Sequence, residues 1–164
     1  MFAQSLARTA QIFGNRPAVI SPTGQVTWRE FSDQIQSVAK GLRNLGLEPG
    51  DRVAVLAENS VEHLTIMYAV AWAGCVLVPL NTRLSTHEMT QIAKEAGVAA
   101  LAGDSKNKNA FLSLVGAVDQ TLELIDLDGD TGLGAPLAEL VDNDGLDPWK
   151  AEMSDIAALF YTGG

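Results

Sequence analysis

The residues best suited to chemistry are the last three, Thr162, Gly163 and Gly164, which follow directly on an apolar run, Ile156–Tyr161. A strand that opens into Thr-Gly-Gly begins a loop whose backbone N–H groups can face phosphate oxygens, because glycine permits close approach and positive φ. On three residues alone, a frayed tail is the plainer reading. Other constellations fall short of their chemistry. His87-Glu88-Met89-Thr90-Gln91 approaches the zinc pattern HExxH, but Gln91 replaces the second ligand, and His63 falls on a separate predicted helix. Asp126, Asp128 and Asp130 imitate the start of a calcium loop, yet Thr131 stands where Gly is needed and Leu137 where Glu is needed. A solvated acidic turn is expected there. No G-x-G-x-x-G follows a predicted strand, so a dinucleotide site of the usual kind is unsupported. Cys75 is the single cysteine, which excludes an internal disulfide; it sits among apolar residues and is expected to be buried rather than nucleophilic.

Alternating strands and helices must position these residues. Residues 18–28 predict a hairpin, with Pro22-Thr23-Gly24 as turn chemistry between two β-rich runs. Thr27 with Glu30 forms a capping box, and Phe31, Ile35, Val38, Leu42 and Leu45 make one apolar helix face that ends at Gly46. Strands are predicted at 52–57, 75–79, 98–102 and 122–127. Between them lie helices over 60–73, with Val61, Leu64, Tyr68, Ala71 and Trp72 toward the core, from Ser85 to Gly97, and over 106–118. Ser85 with Glu88 makes a second capping box. The strand starts recur every 23 to 24 residues, a βαβ rhythm that predicts a parallel sheet flanked by helices. Residues 128–155, rich in Asp, Gly and Pro, read as a surface connection with a short helix near 137–141. Residues 156–161 read as a last strand. The expected organisation is therefore a segment and hairpin at 1–28, a βαβ core at 29–127, an acidic connection at 128–155, and a strand with the start of a loop at 156–164.

Composition limits the function classes. With 47% hydrophobic and 19% charged residues the chain is globular rather than disordered. A net charge of −9 disfavours nucleic acid and anionic membrane, which need clustered Lys and Arg, though an anion can still bind backbone dipoles. The apolar window 64–80 is interrupted by Gly74 and Pro79, so no membrane span is expected. The lone thiol suits a reducing cytoplasm.

Several segments carry a resemblance. Leu159-Phe-Tyr-Thr-Gly-Gly164 resembles the start of the signature loop YTSGTTGxPKG of the adenylate-forming superfamily of acyl-CoA synthetases, luciferases and peptide-synthetase adenylation domains. Val26-Thr-Trp-Arg-Glu-Phe31 looks like its T-Y-x-E-L element, with Trp28 and Phe31 as departures. Ala73-Gly-Cys-Val-Leu-Val-Pro-Leu-Asn81 looks like its A-G-x-x-x-x-P-L-N element. Leu45–Val55 and Glu58-Asn59-Ser60 are similar to its G-x-x-x-G-D-x-V and N-S elements. The segments come in family order over nearly the whole chain, and the Asn81–Arg83 stretch is closer to fatty-acid or aryl-acid CoA ligases than to amino-acid adenylation domains.

The resemblance implies an α/β fold belonging to the large N-terminal domain of an enzyme that uses ATP, Mg2+ and CoA. Its carboxylic-acid substrate would displace pyrophosphate to form an acyl adenylate, and the CoA thiol would then displace AMP. It implies Thr162, Gly163 and Gly164 as nucleotide-phosphate contacts, with no catalytic residue and no metal ligand among these 164 residues. On this reading the reading frame continues past Gly164 with a Thr/Ser-Gly-rich stretch and a lysine. The piece alone is then inactive and prone to self-association. A self-contained α/β small-molecule-binding or interaction domain without catalysis is the alternative; it would need a ligand-binding loop cluster after the strand ends.

Overall fold

The computed structural model describes residues 2–22, 24–118, 121–142 and 144–162. Helix α1 (Phe2–Phe13) leads into an antiparallel hairpin, β1 (Pro17–Ser21) and β2 (Gly24–Thr27), as the turn residues predict. Helix α2 (Trp28–Asn44) starts at Thr27. Its Oγ1 accepts the Glu30 N–H, while Glu30 Oε2 accepts the Thr27 N–H at 2.9 Å. The same reciprocal pair, Ser85 and Glu88, opens α4 (Thr86–Ala96), and Gly97 closes that helix.

The two capping carboxylates make a pH-dependent contribution. The Thr27 amide and then its hydroxyl hold Glu30 below its ordinary value, and the Ser85 hydroxyl and then its amide do so for Glu88. A lowered folded-state pKa gives stabilisation that is complete above the unfolded value of 4.5 and is lost as pH falls through the folded value. The stability gap between the wild type and a Glu30→Ala/Glu88→Ala double variant is therefore expected at neutral pH and should close in acid. Urea unfolding over a pH series checks this; a gap of constant size would contradict it.

The main sheet contains β3 (Arg52–Leu56), β4 (Val76–Pro79), β5 (Val98–Gly103), β6 (Glu123–Asp126) and the two-residue β7 (Ala135–Pro136). All pairs are parallel, in the order β4-β3-β5-β6-β7. Alternate strand residues serve two cores, as the period of two demands. Val53, Val55, Leu77, Ala100 and Ile125 pack under α1, α2 and α3 (Val61–Trp72), whereas Ala54, Leu56, Val78 and Leu101 pack under α4 and α5 (Lys108–Ala117). The chain steps from β3 to β4 with α3 on one face, then back across β3 to β5 with α4 on the other. Reversing both direction and face keeps the hand of the crossover constant, as the crossover rule requires.

Three expectations need correction. Trp72 and Tyr68 pack on the core as expected, Tyr68 with its ring 5.7 Å from that of Phe31, but Leu64 is exposed and Val61 and Ala71 are half-buried, while Ile66, Ala69 and Val70 face the core. Helix α3 is apolar on nearly every side, so spacing alone cannot choose its buried face. The connection 128–155 is more than a surface loop. It adds β7, and it buries Leu137 of a 3-10 turn (Leu137–Glu139) and the following Leu140 against α2. Residues 156–161 do not form a strand. A single bridge joins Ala158 to Leu77, through Leu77 N–H to the Ala157 carbonyl at 3.0 Å and Leu159 N–H to the Leu77 carbonyl at 2.8 Å. The next outward-facing donor on β4 would be residue 79, and Pro79 has no N–H, so the ladder stops after one rung.

Candidate functional site

Ligands of open α/β sheets sit at the C-terminal ends of the strands, where neighbouring strands send their helices to opposite faces. Strands β3 and β5 are such neighbours. Protein groups bridge the ends of these two strands, and a cavity of about 440 Å³ opens nearby, lined among others by Val61, Glu62, Leu127, Asp128 and Leu137. Asp104 Oδ2 accepts the Glu58 N–H at 2.8 Å, and its Oδ1 accepts the Asn107 backbone and side-chain N–H groups at 3.0 and 2.7 Å. Lys106 Nζ lies 3.2 Å from Glu58 Oε2 above this bridge. Ser60 is spent as the cap of α3, accepting the His63 N–H at 3.0 Å. Glu58 and Ser60 thus follow β3 as bridge and cap residues.

The candidate metal and nucleophile residues are also occupied structurally. His63 Nδ1 is 3.1 Å from the Glu58 carbonyl, on α3. His87 and Gln91 lie on the exposed side of α4, where Gln91 donates to Glu95 at 3.0 Å. Asp126 departs from the expected solvated turn: it is buried, and its carboxylate accepts the N–H groups of Gly129 (2.9 Å), Thr131 (2.9 Å) and Gly132 (3.0 Å). Among the described residues no group of three or more His, Cys, Asp or Glu is placed to hold a metal ion. Cys75 is buried as expected, with Sγ 3.4 Å from the Glu48 carbonyl. Burial first, and the nearby Asp51 carboxylate second, push its thiol up to about 11, so it stays protonated and non-nucleophilic at neutral pH.

Thr162 is exposed, four residues past the rung that pairs Ala158 with Leu77. Strand β4 ends at Pro79, two residues past Leu77, and the segment runs parallel to it. Thr162 therefore emerges at the C-terminal end of the sheet, beside β4. Gly163 and Gly164 lie outside the described residues. Sequence reasoning missed what brings Thr162 here: the connection 142–157 crosses α2 and α3 from one edge of the sheet to the other. Asn44 Nδ2 donates to Asp142 at 2.9 Å, Trp72 Nε1 to the Leu146 carbonyl at 2.6 Å, and the Trp149 N–H to the Trp72 carbonyl at 3.0 Å. Each partner pair is distant in sequence, so no local signal announces it.

A parallel sheet covered by helices on both faces defines an open α/β fold. Residues 6–164 match the family model described as AMP-binding enzyme, and the chain belongs to that family. It is 30% identical over 158 residues to a feruloyl-CoA synthase of Amycolatopsis sp, covering 96% of this chain and 30% of the relative. It is 35% identical over 99 residues to a 2-succinylbenzoate–CoA ligase of Bacillus cereus, covering 60% of this chain and 20% of the relative. The fold superposes on an anthranilate CoA ligase solved with anthranoyl-AMP at a TM-score of 0.89 and 21% identity, covering 99% of this chain and 31% of that one. The chain thus spans about a fifth to a third of the length of the curated relatives it matches.

Proposed function

We propose that the chain is the N-terminal part of an ATP-dependent, AMP-forming ligase that joins a carboxylic acid, fatty or aryl, to CoA in the cytoplasm. The observation that carries this reading is the family match over residues 6–164 together with the emergence of Thr162 at the C-terminal end of the sheet. Thr162, Gly163 and Gly164 are proposed to meet nucleotide phosphate. From that loop the described residues offer only Thr162, and they provide no metal-binding cluster. The 164 residues alone are proposed to make no acyl-CoA. The expected result is acid-dependent exchange of pyrophosphate into ATP by the full-length gene product, tested over a panel of fatty and aryl acids, and none by residues 1–164. Absence of exchange with every acid in the full-length protein would overturn the ligase reading.

Self-association of the 164-residue chain belongs to the same reading. Met153, Ile156, Phe160 and Tyr161 are exposed on and beside a segment that no described strand flanks on the side away from β4. Exposed apolar side chains on an open edge favour pairing with another copy. Sedimentation velocity over a concentration series should show a coefficient that rises with concentration. A monomer throughout would remove this part of the reading.

A further inference from the structure

The backbone pairing of residues 157–159 is sparse. One rung joins it to β4, and Pro79 forbids a second. Packing beneath the preceding stretch is also incomplete: a cavity of about 290 Å³ lies between Ala71, Gly74 and Cys75 on one side and Met153 and Ile156 on the other. Ala158 and Leu159 are half-buried against the two cores, which leaves the stretch before them to be tied down separately.

That role falls to a surface turn between Trp149 and Asp155. The Trp149 indole lies on Gly74, so close that a Cβ there would stand 2.7 Å from the ring; Gly74 also has φ +80°, a conformation that suits glycine. Trp149 Nε1 donates to Asp155 Oδ2 at 3.0 Å. The same oxygen accepts the Glu152 N–H at 3.0 Å, and the Asp155 N–H returns to the Glu152 carbonyl at 3.2 Å. The Trp149 backbone is itself tied to the end of α3, its N–H donating to the Trp72 carbonyl. Two residues after Asp155 comes the Ala157 carbonyl that bonds β4. Asp155 is exposed and Trp149 is 39% exposed, so this set lies outside both cores.

We propose that Trp149 and Asp155 form a latch on Gly74 that positions the segment leading into Thr162, and hence the start of the phosphate loop. The proposal rests on the ligase reading for its functional meaning. Neither residue touches the reacting atoms; both are positioning residues. The charge on Asp155 strengthens the bond it accepts, since hydrogen bonds to a carboxylate are stronger than neutral ones. Its carboxyl is held below the ordinary value, first by the Trp149 indole and then by the Glu152 amide.

Hydrogen exchange of this chain tests the latch without reference to catalysis. Asp155→Ala and Trp149→Phe should each speed exchange at the Leu77 and Leu159 amides by about tenfold, with the Val53 and Ala54 amides of β3 unchanged. Asp155→Asn, which keeps an oxygen for the indole, should restore most of the protection. The double variant Trp149→Phe/Asp155→Ala should exchange no faster than Asp155→Ala alone, because the indole bond that Trp149→Phe removes is already lost there. Unchanged exchange at Leu159 in Asp155→Ala, or an additive double variant, would overturn the latch. In the full-length enzyme, Asp155→Ala should raise KM for ATP severalfold and leave KM for the acid unchanged. An unmoved KM for ATP beside faster exchange would overturn the positioning role. Absence of adenylation in the wild-type enzyme would instead strike the ligase reading and leave the exchange result standing.

Discussion

Gly41→Ala is expected to destabilise the protein by about 2 kcal/mol or more, against the usual sign for such a change. In an exposed helix interior, replacing glycine by alanine stabilises by roughly 0.5–1 kcal/mol. Gly41 is buried within α2, and a Cβ there would stand 1.9 Å from the Leu140 carbonyl oxygen and 2.7 Å from its carbonyl carbon. The obstructing atoms are backbone, so no rotamer change relieves the clash. Either the 137–142 segment lifts from α2, exposing Leu137 and Leu140, or α2 shifts within its core. Gly116 in α5 supplies the control, because a Cβ there meets nothing within 4 Å. Urea unfolding of Gly41→Ala and Gly116→Ala should give changes of opposite sign. A Gly41→Ala protein as stable as the wild type would show that the segment does not lie on the helix as described.

Asp126→Ala is expected to cost about 3 kcal/mol, the sum of several modest losses of one kind. The carboxylate is 1% exposed and accepts three backbone N–H groups, from Gly129, Thr131 and Gly132. Removing it leaves Thr131, also 1% exposed, with a buried donor and no acceptor. Each stranded donor costs about 1–3 kcal/mol unless water reaches it. Asp126→Asn should rescue only part of the loss, since its one oxygen can keep the Thr131 and Gly132 N–H groups while its NH2 points hydrogens at the Gly129 donor. Chemical denaturation measures both variants. A loss below about 1 kcal/mol for Asp126→Ala would mean that water replaces the carboxylate.

The contrast between these positions and the rest of the chain shows what a sequence displays. The strands near 52, 75, 98 and 122 and both capping boxes were legible, because their causes are local: apolar runs, and side chains three residues apart. The first helix was equally available and was missed. Ala3, Leu6, Ala7 and Ala10 recur at helical spacing before Gly14, and Ala3 and Leu6 are buried. The orientation of α3 was not legible, since a helix apolar all round has no preferred stripe. Nor were the 142–157 crossing and the single rung at Ala158. The first depends on pairs such as Trp72 with Leu146, and the second on which side of β4 a missing proline N–H happens to face. At the candidate site the residue types of the loop could be read. The surface turn that places it could not, because an exposed Trp and Asp six residues apart carry no signal until Gly74 comes beneath them.

The strand order has a consequence for how the chain can be made. Strand β3 is synthesised first and lies inside the sheet; β4 pairs with one side of it and β5 with the other, then β6 joins β5 and β7 joins β6. Every new strand is added to an edge that already exists, and none has to be inserted between two closed neighbours. Synthesis order is also pairing order, so a nascent chain leaving the ribosome can extend its sheet by accretion, with each crossover closing within some two dozen residues. The segment that lays Leu140 on Gly41, 99 residues back (140 − 41), follows β7 in the chain, so it can dock only after every strand of that sheet has been made.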